Sequence, residues 1–359
     1  MKPFIAVAIS GGVDSLVAAN LLKEQGIEVI GLHFITGFES FSSTEKPSLE
    51  NTSTESLRTE AEKKLNPISK QLDIPVIVLD LQEEFKRCVV DNFIETYRSG
   101  KTPNPCLVCN PSIKFGTLLK YALKMGATQL ATGHYAGIKK DPDGSVHLSM
   151  GVDRIKDQSY FLGFMNQYQL SRACFPLGGM TKSMVRKIAH KNALVPLTRT
   201  ESQDVCFIKG FSYGEFLARY LTSEPGLIED TSGKVIGEHK GLHLFTIGQR
   251  RGINCPASEP YYVVQIDIKK NCLIVGYKHE LYCRECHVEA INWIKDIPSS
   301  SMTVRTRVRY RHDAAVSEII PLNDHTARVC FEKPQKAVTP GQGAVFYLDD
   351  EVIGAGWIA

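Results

Sequence analysis

The sequence lacks the features that would connect the chain with a membrane or with export. No apolar run approaches the ~18 residues that a bilayer-spanning helix requires. The first residues, Met1 to Phe4, carry one charge and lead straight into an apolar strand pattern, so no signal peptide is predicted. We therefore expect a cytoplasmic protein with no membrane partner. In that compartment, the ten cysteines are not expected to form a structural disulfide framework.

Two common nucleotide-binding motifs are also absent, although a glycine-rich loop lies near the start of the chain. The loop, Ser10 to Ser15, has the sequence SGGVDS, without the Lys-Ser/Thr pair of a Walker loop or the spacing of a dinucleotide fingerprint. It follows an apolar run, Phe4–Ile9, that predicts a buried parallel strand, and it precedes an apolar helix, Leu16–Leu22. Glycines and unpaired N–H groups at a helix start form an anion site. We interpret the segment as a phosphate-binding loop; a plain strand–helix turn capped by Asp14 is the alternative.

Acidic residues are missing from a long stretch in the middle of the chain, between Asp157 and Glu201. The basic residues in or beside it are Arg154, Lys156, Arg172, Lys182, Arg186, Lys187, Lys191 and Arg199. Further on, a period of two predicts four guanidinium groups on one strand face, those of Arg305, Arg307, Arg309 and Arg311. The net charge is only +3, but these clusters favour a polyanionic partner, most simply nucleic acid, over a solvated strand face.

The order of predicted elements divides the chain into an α/β part and a β-rich part. At 359 residues, about two or three domains are expected. Strands alternate with helices in the first part, which predicts a doubly wound parallel sheet with ligands at the carboxyl ends of its strands, at Val29–Ile35, Val76–Asp80 and Thr128–His134. Short β runs after residue 210 predict small β modules, the last one barrel-like. The predicted domains are 1–210 (α/β), 211–280 (small, β-rich) and 281–359 (β-barrel-like).

Other segments of the α/β part have simpler predictions. Residues 38–60 are rich in Ser, Thr and Glu and predict a flexible surface excursion. Helices are expected at 81–97 and 115–125. Residues 181–193 predict a basic helix with Thr181 as its N-cap.

The cysteines in polar or proline-rich surroundings are the candidates for chemistry. Cys106 and Cys109 form a C-x-x-C pair after two X-Pro steps, which predicts an extended, exposed loop before Cys106. Such a pair suits a redox dithiol, metal ligation or an iron–sulfur cluster. The pair Cys283 and Cys286, with His287, matches the c-type haem attachment string, which we interpret as coincidence. A zinc ion joining both pairs is disfavoured by their wide separation in sequence.

The resemblance to a known family extends beyond the loop. Eight blocks occur in order along the chain: SGGVDS, TPNPCLVCN, IKFGTLL, ATGHYA, KDQSYFL, ESQDVCFI, GLHLFTIGQRRG and VTPGQGAVFY. SGGVDS resembles the signature of the PP-loop ATP pyrophosphatases, and together the blocks resemble the tRNA-specific 2-thiouridylases within that superfamily. The resemblance implies a PP-loop domain followed by a small β-rich domain and a β-barrel that contacts tRNA.

The resemblance also implies roles for individual residues. It makes Cys109 a nucleophile and Cys206, which by itself would be interpreted as buried and inert, the carrier of a persulfide. The implied ATP site consists of Ala8, Ile9, Ser10, Gly11, Gly12, Val13, Asp14, Ser15, Phe34 and Gly133. The target base would lie against Asn104, Pro105 and Cys106. The implied tRNA contacts are His134, Lys156, Asp157, Gln158, Arg309, Tyr310 and Gln342.

The implied reaction uses ATP and Mg²⁺. ATP adenylates the 2-carbonyl oxygen of the wobble uridine of a tRNA, and a persulfide on Cys206, supplied by a sulfur-relay protein or a cysteine desulfurase, attacks carbon 2. Cys109 then closes a Cys109–Cys206 disulfide, which a reductant reopens.

The sequence departs from the family pattern at several positions. Cys106 stands where the family often has an Asp that is proposed as general acid/base, and Phe34 stands where Met is common. The segment 38–60 lacks the family's usual pattern. Three cysteines, Cys106, Cys109 and Cys206, could then hold a [4Fe–4S] cluster, so cluster-dependent thiolation without disulfide cycling is one alternative. The others are another PP-loop synthetase and a tRNA-binding protein that retains the loop as a relic.

Overall fold

The computed structural model describes residues 4–39, 54–197, 205–208, 210 and 212–359. Most of the predicted excursion at 38–60, the residues before Phe4, and Arg199 and Glu201 lie outside the described residues. The chain divides into two compact units. The first comprises Met1–Val89, Cys106–Gly210 and Asp350–Ile353, and the second comprises Val90–Pro105, Phe211–Asp349 and Gly354–Ala359.

The helices of the described chain are mostly short. They are α1 (Val13–Glu24), α2 (Thr54–Leu72), α3 (Gln82–Phe85), α4 (Asp91–Arg98), α5 (Pro105–Cys109), α6 (Leu119–Lys124), α7 (Gln167–Ser171), α8 (Lys182–Lys191) and α9 (Tyr213–Leu217). π-Helical turns at Lys86–Val90 and Asn110–Leu118 join α3 to α4 and α5 to α6. Single 3₁₀ turns lie at Ser159–Leu162, Leu242–Leu244 and Lys278–Leu281.

The first unit is built on a parallel sheet, as the sequence predicted. Its strands are β1 (Phe4–Ala8), β2 (Glu28–Ile35), β3 (Val76–Asp80), β4 (Gln129–Ala131), β5 (Ala136–Lys140), β6 (Val146–Met150) and β7 (Ala173–Cys174). The sheet has the order β3-β2-β1-β4-β7, so the chain reverses direction of winding at β1. β5 and β6 form a separate antiparallel hairpin, to which Glu351 and Val352 pair through β6.

The core of the first unit explains the arrangement of its strands and helices. Apolar side chains on both faces of β1 are buried, Ile5 and Val7 on one face and Ala6 on the other, because helices cover both faces of a parallel sheet. Leu16 and Val17 of α1 pack into the same core. The carboxyl end of β1 therefore leads directly into a helix start at the edge of the sheet where ligands bind in this architecture.

The second unit is built from β structure. Its strands are β8 (Gly226–Asp230), β9 (Val235–His239), β10 (Tyr262–Asp267), β11 (Cys272–Gly276), β12 (Tyr282–Trp293), β13 (Met302–Arg307), β14 (Ala315–Asn323), β15 (Thr326–Lys336), β16 (Gly343–Leu348) and the part of β17 (Glu351–Ile358) that follows Ile353. β10-β11-β8-β9 form a small sheet over its own apolar core. The other strands follow the order β12-β15-β14-β13-β16-β17, and pairing of β12 with the end of β17 closes an antiparallel barrel.

Three local predictions are wrong. Residues 54–60, expected in the flexible excursion, belong to α2. Cys106 and Cys109, expected at the end of a proline-rich loop from Lys101 to Cys109, lie in α5, because Pro105 occupies the first position of the helix, where its missing N–H costs nothing. β13 ends at Arg307, and the chain then turns with a His312 N–H to Arg309 carbonyl bond of 3.1 Å, so the four arginines do not share one strand face.

No helix in the described parts of the chain combines the length and apolarity needed to cross a bilayer.

Candidate active site

The glycine-rich loop has the geometry of an anion site. Gly11 has a φ of +83°, a backbone conformation that favours glycine, and a Cβ there would lie 2.8 Å from the flexible side-chain end of Leu197. Gly12 is the N-cap of α1 and has no side chain to cap the N–H groups of the first turn. Ser15 Oγ donates to the Gly12 carbonyl at 2.9 Å and lies 3.3 Å from Ser10 Oγ. The helix start therefore presents N–H groups and hydroxyls to a phosphate.

A second strand end presses directly against this loop. Gly133 follows β4, and a Cβ there would lie 2.8 Å from the Asp14 carbonyl carbon and 2.9 Å from the Ser15 nitrogen. These are backbone atoms, which cannot move aside as a flexible side chain would. Gly133 is therefore required for the loop to keep its position. The other predicted lining residue, Phe34, is half-buried near the end of β2.

Asp14 is fixed by two side chains whose contact with the loop the sequence analysis did not predict. Lys182 Nζ lies 2.7 Å from each Asp14 carboxylate oxygen, and Tyr135 Oη donates to Oδ1 at 2.7 Å. The Lys182 side chain is only 9% exposed. Lys182 is the first residue of α8, whose predicted cap, Thr181, accepts from the Met184 N–H at 3.3 Å. The place of Lys182 directly after the predicted cap of a basic helix was the signal available in the sequence.

The loop is also tied to the segment that leads toward Cys206. The Leu197 N–H donates to the Gly11 carbonyl at 2.9 Å, and the Leu197 side chain covers Gly11. The backbone before the cysteine-bearing segment is therefore anchored at the phosphate loop.

Free thiols are present at three predicted positions, Cys106, Cys109 and Cys206. They lie close enough that a charge on one disfavours a charge on another. Desolvation and the nearby Cys206 raise the pKa of Cys106 to about 11, although the residue reaches the surface. Desolvation raises the pKa of Cys109 to about 12, and Cys206 and Cys106 add to that increase. Lys114 acts in the opposite direction on both thiols. The structure thus brings the three predicted cysteines together, with Cys106 and Cys109 as protonated thiols.

The iron–sulfur expectation finds no support in this arrangement. Within the described residues, which include all three cysteines, no group of three or more His, Cys, Asp or Glu side chains has a geometry that could hold a metal ion. The cysteine positions do not fit a cluster as they stand.

The predicted tRNA contacts of the first unit have different surroundings. His134 is buried, and its Nδ1 lies 2.7 Å from Thr132 Oγ1. The Asp157 carboxylate is buried and accepts from the Gly151 and Ser159 N–H groups at 3.0 and 3.1 Å. The side-chain amide oxygen of Gln158, Oε1, accepts from the Tyr135 N–H at 3.1 Å. These two side chains hold the local backbone, whereas Lys156 lines a surface cavity of about 540 Å³ together with basic residues of α8.

In the second unit, the predicted contacts gather around the segment before α5. Gln342 Nε2 donates to the carbonyls of Thr102 and Pro103, both at 3.0 Å, and its Oε1 lies 3.5 Å from Asn104 Nδ2. Pro105 is buried. Arg309 donates to the Ile247 carbonyl at 2.9 Å and to Thr339 Oγ1. Tyr310 lies in the turn that follows β13.

Family models match nearly the whole chain. The models are described as a tRNA methyl transferase HUP domain over residues 4–210, a tRNA methyl transferase PRC-barrel domain over 214–277 and an aminomethyltransferase beta-barrel domain over 283–358. Each match falls on a part of the chain with the corresponding architecture.

Curated relatives match over the full length. The chain is 47% identical to the tRNA-specific 2-thiouridylase MnmA of Desulfosudis oleivorans, with 99% of this chain and 95% of that protein covered. It is 42% identical to the proteins of the same name from Geotalea uraniireducens (99% and 94% covered) and Geobacter metallireducens (99% and 96%). With this identity over both chains, a PP-loop helix start and three cysteines in one unit, the chain belongs to the tRNA-specific 2-thiouridylase family.

Proposed function

We propose that the protein is an ATP-dependent tRNA-uridine 2-sulfurtransferase that converts the wobble uridine at position 34 of tRNA to 2-thiouridine. The observation that carries the proposal is the presence, in one unit, of a phosphate-binding helix start and three interacting thiols. The first suits activation of an oxygen by ATP, and the second suits its replacement by sulfur. The names of the curated relatives supply the acceptor.

In the first half-reaction, the uridine 2-carbonyl oxygen attacks the α-phosphorus of ATP, and pyrophosphate leaves. The α1 N–H groups and the Ser10 and Ser15 hydroxyls would hold the departing phosphates, with Ala8 to Ser15, Phe34 and Gly133 around the nucleotide. Asp14 accepts three hydrogen bonds, out of about four lone-pair positions on a carboxylate. One position therefore remains for Mg²⁺, which would neutralise charge on the pyrophosphate when bound.

In the second half-reaction, the terminal sulfur of a Cys206 persulfide attacks carbon 2, and AMP leaves with the former carbonyl oxygen. The Cys109 thiolate then attacks the Cys206 Sγ. The electron pair of the broken S–S bond stays on the sulfur attached to the base, which yields 2-thiouridine and a Cys109–Cys206 disulfide. A dithiol reductant restores both thiols, and a sulfur-relay protein or a cysteine desulfurase reloads Cys206.

The tRNA is proposed to contact both units. Asn104, Pro105 and Cys106 would face the target base, and His134, Lys156, Asp157, Gln158, Arg309, Tyr310 and Gln342 would contact tRNA. For Asp157 and Gln158 the contact would be through the backbone they fix, because their carboxylate and amide oxygens accept from backbone N–H groups. Domain bounds of 1–210, 211–280 and 281–359 and a cytoplasmic location belong to the same proposal.

Pyrophosphate release by the full chain tests the proposal and separates it from the alternatives. We expect release from ATP only with tRNA present, together with 2-thiouridine when a persulfide donor is added, detected by mass spectrometry of digested tRNA. Release without tRNA but with a carboxylic acid would identify another synthetase. tRNA binding without any release would identify a binding protein. Thiolation that requires iron and inorganic sulfide would favour the cluster-dependent route.

A further inference from the structure

Lys114 has an unusual place in the first unit. It lies half-buried in the π-helical turn between α5 and α6, and its Nζ is 3.5 Å from His134 Nε2. Within the described ranges, no carboxylate forms an ion pair with it. A half-buried ammonium group without a carboxylate is costly unless an anion approaches during function.

The neighbouring histidine does not compensate the charge. Burial, reinforced by Lys114, holds the pKa of His134 well below its usual range, so the imidazole is neutral. An ammonium group only donates, so Nε2 is the acceptor, and Nδ1 therefore carries the proton and donates to Thr132 Oγ1 at 2.7 Å. Lys114 thus fixes the tautomer of His134, and Thr132 accepts the remaining ring proton.

Lys114 lies five residues after Cys109, in the π-helical turn that directly continues α5. Its charge therefore lies about one helical turn from the thiol of Cys109. Among the described residues, Lys114 is the one side chain that lowers the pKa of both Cys106 and Cys109 against the larger effect of desolvation. The remaining charge effects on these thiols come from the other cysteines and disfavour a thiolate. Sulfur transfer requires a thiolate as the attacking group, so a negative charge has to form at these cysteines.

We propose that Lys114 is the cation that stabilises the Cys109 thiolate in this protein. The inference rests on the proposed function for its biological meaning but not for its test. The Cys109 proton leaves to water, and the ammonium group remains charged throughout. Cys106 has a pKa of about 11 and stays a neutral thiol, so it adds no negative charge beside Cys109.

The test is the alkylation of individual cysteines by iodoacetamide, followed by peptide mass spectrometry from pH 6 to pH 10, on the full chain with a chelator and without ATP or tRNA. We expect Lys114→Met to slow Cys109 alkylation at pH 8 by about tenfold and to shift its pH profile upward, because a nearby cation lowers a pKa by about one unit or more. Lys114→Arg should retain the parent profile. Lys120→Met, a change of an exposed lysine in α6, is the matched control.

An unchanged Cys109 profile in folded Lys114→Met would overturn the inference and leave Lys114 a structural residue. If Lys114→Met does not fold, as judged by circular dichroism, Lys114→Gln takes its place with the same expected shift. A parent chain that makes no 2-thiouridine while Lys114→Met still shifts the alkylation profile would refute the proposed function and retain the role of Lys114.

Discussion

The phosphate loop and the thiol site lie in the same unit but stabilise negative charge by different means. The loop uses backbone N–H groups at a helix start, held by Gly11 and Gly133, so its positive character does not titrate. At the thiol site, Lys114 lowers the pKa of Cys106 and of Cys109 against a larger effect of desolvation, and both thiols are protonated at rest. In the proposed reaction, the loop would therefore need no change of protonation, whereas the thiol site would have to lose a proton.

The largest expected effect is the loss of thiolation when a reacting cysteine is replaced and the phosphate loop is left unchanged. Cys109→Ser and Cys206→Ser should each reduce thiolation at least ~1000-fold, because a hydroxyl replaces the sulfur that must react. tRNA binding should be retained in both, as measured by filter binding. Thiolation by either variant at the parent rate would disprove the persulfide–disulfide assignment. Cys88→Ser, which changes another thiol of the first unit, is the control.

A change at the loop should instead lower pyrophosphate release and leave the reactivity of the thiols unchanged. Gly133→Ala places a Cβ 2.8 Å from the Asp14 carbonyl carbon, and displacement of catalytic groups by about 1 Å costs on the order of 100-fold. We expect tRNA-dependent pyrophosphate release to fall by that factor, with the pH profile of Cys109 alkylation unchanged. Gly179→Ala is the matched control, because no atom lies within 4 Å of its added Cβ. Equal losses in both variants would contradict the packing argument.

The ion pair between Asp14 and Lys182 tests whether the stability of the loop depends on a side-chain contact as well as on its backbone geometry. Lys182→Met removes the buried partner of a partly exposed carboxylate, with side chains 9% and 32% exposed, and should lower the free energy of unfolding by about 1–2 kcal/mol, less than for a fully buried pair. Urea unfolding measures the change. Lys187→Met, an exposed change in the same helix, should be nearly neutral. A neutral Lys182→Met would mean that Asp14 is held by Tyr135 alone.

The smallest expected effect distinguishes pH-dependent stability from pH-dependent chemistry. The His147 ring lies 2.5 Å from Glu351 Oε1 and 2.8 Å from Asp141 Oδ2. Hydrogen bonding to Glu351, then its charge and the contact with Asp141, raises the pKa of His147. This stabilisation is full below the unfolded pKa of about 6.5 and is lost as pH rises through the raised folded value. The Tm difference between the parent and His147→Gln should therefore shrink with rising pH, while Cys109 alkylation increases. A difference that grows with pH would contradict this sign.

The sequence predicts the phosphate loop better than the thiol site, for a physical reason. Strand β3 was predicted residue for residue, and α8 with its cap nearly so, because apolar runs and caps act locally. The parallel sheet and the closing barrel were likewise confirmed. The partners Lys182 and Lys114 were missed, because the contacts to Asp14 and His134 join residues far apart in sequence. The turn after Arg307 was missed because alternation alone cannot show where a strand ends.

The hydrogen bond from the Leu197 N–H to the Gly11 carbonyl links the phosphate loop to a second segment of the chain. The same glycine that gives the loop its shape also holds the backbone that precedes the segment of Cys206. In the proposed reaction, this single peptide contact would couple the phosphate loop to the backbone at Leu197.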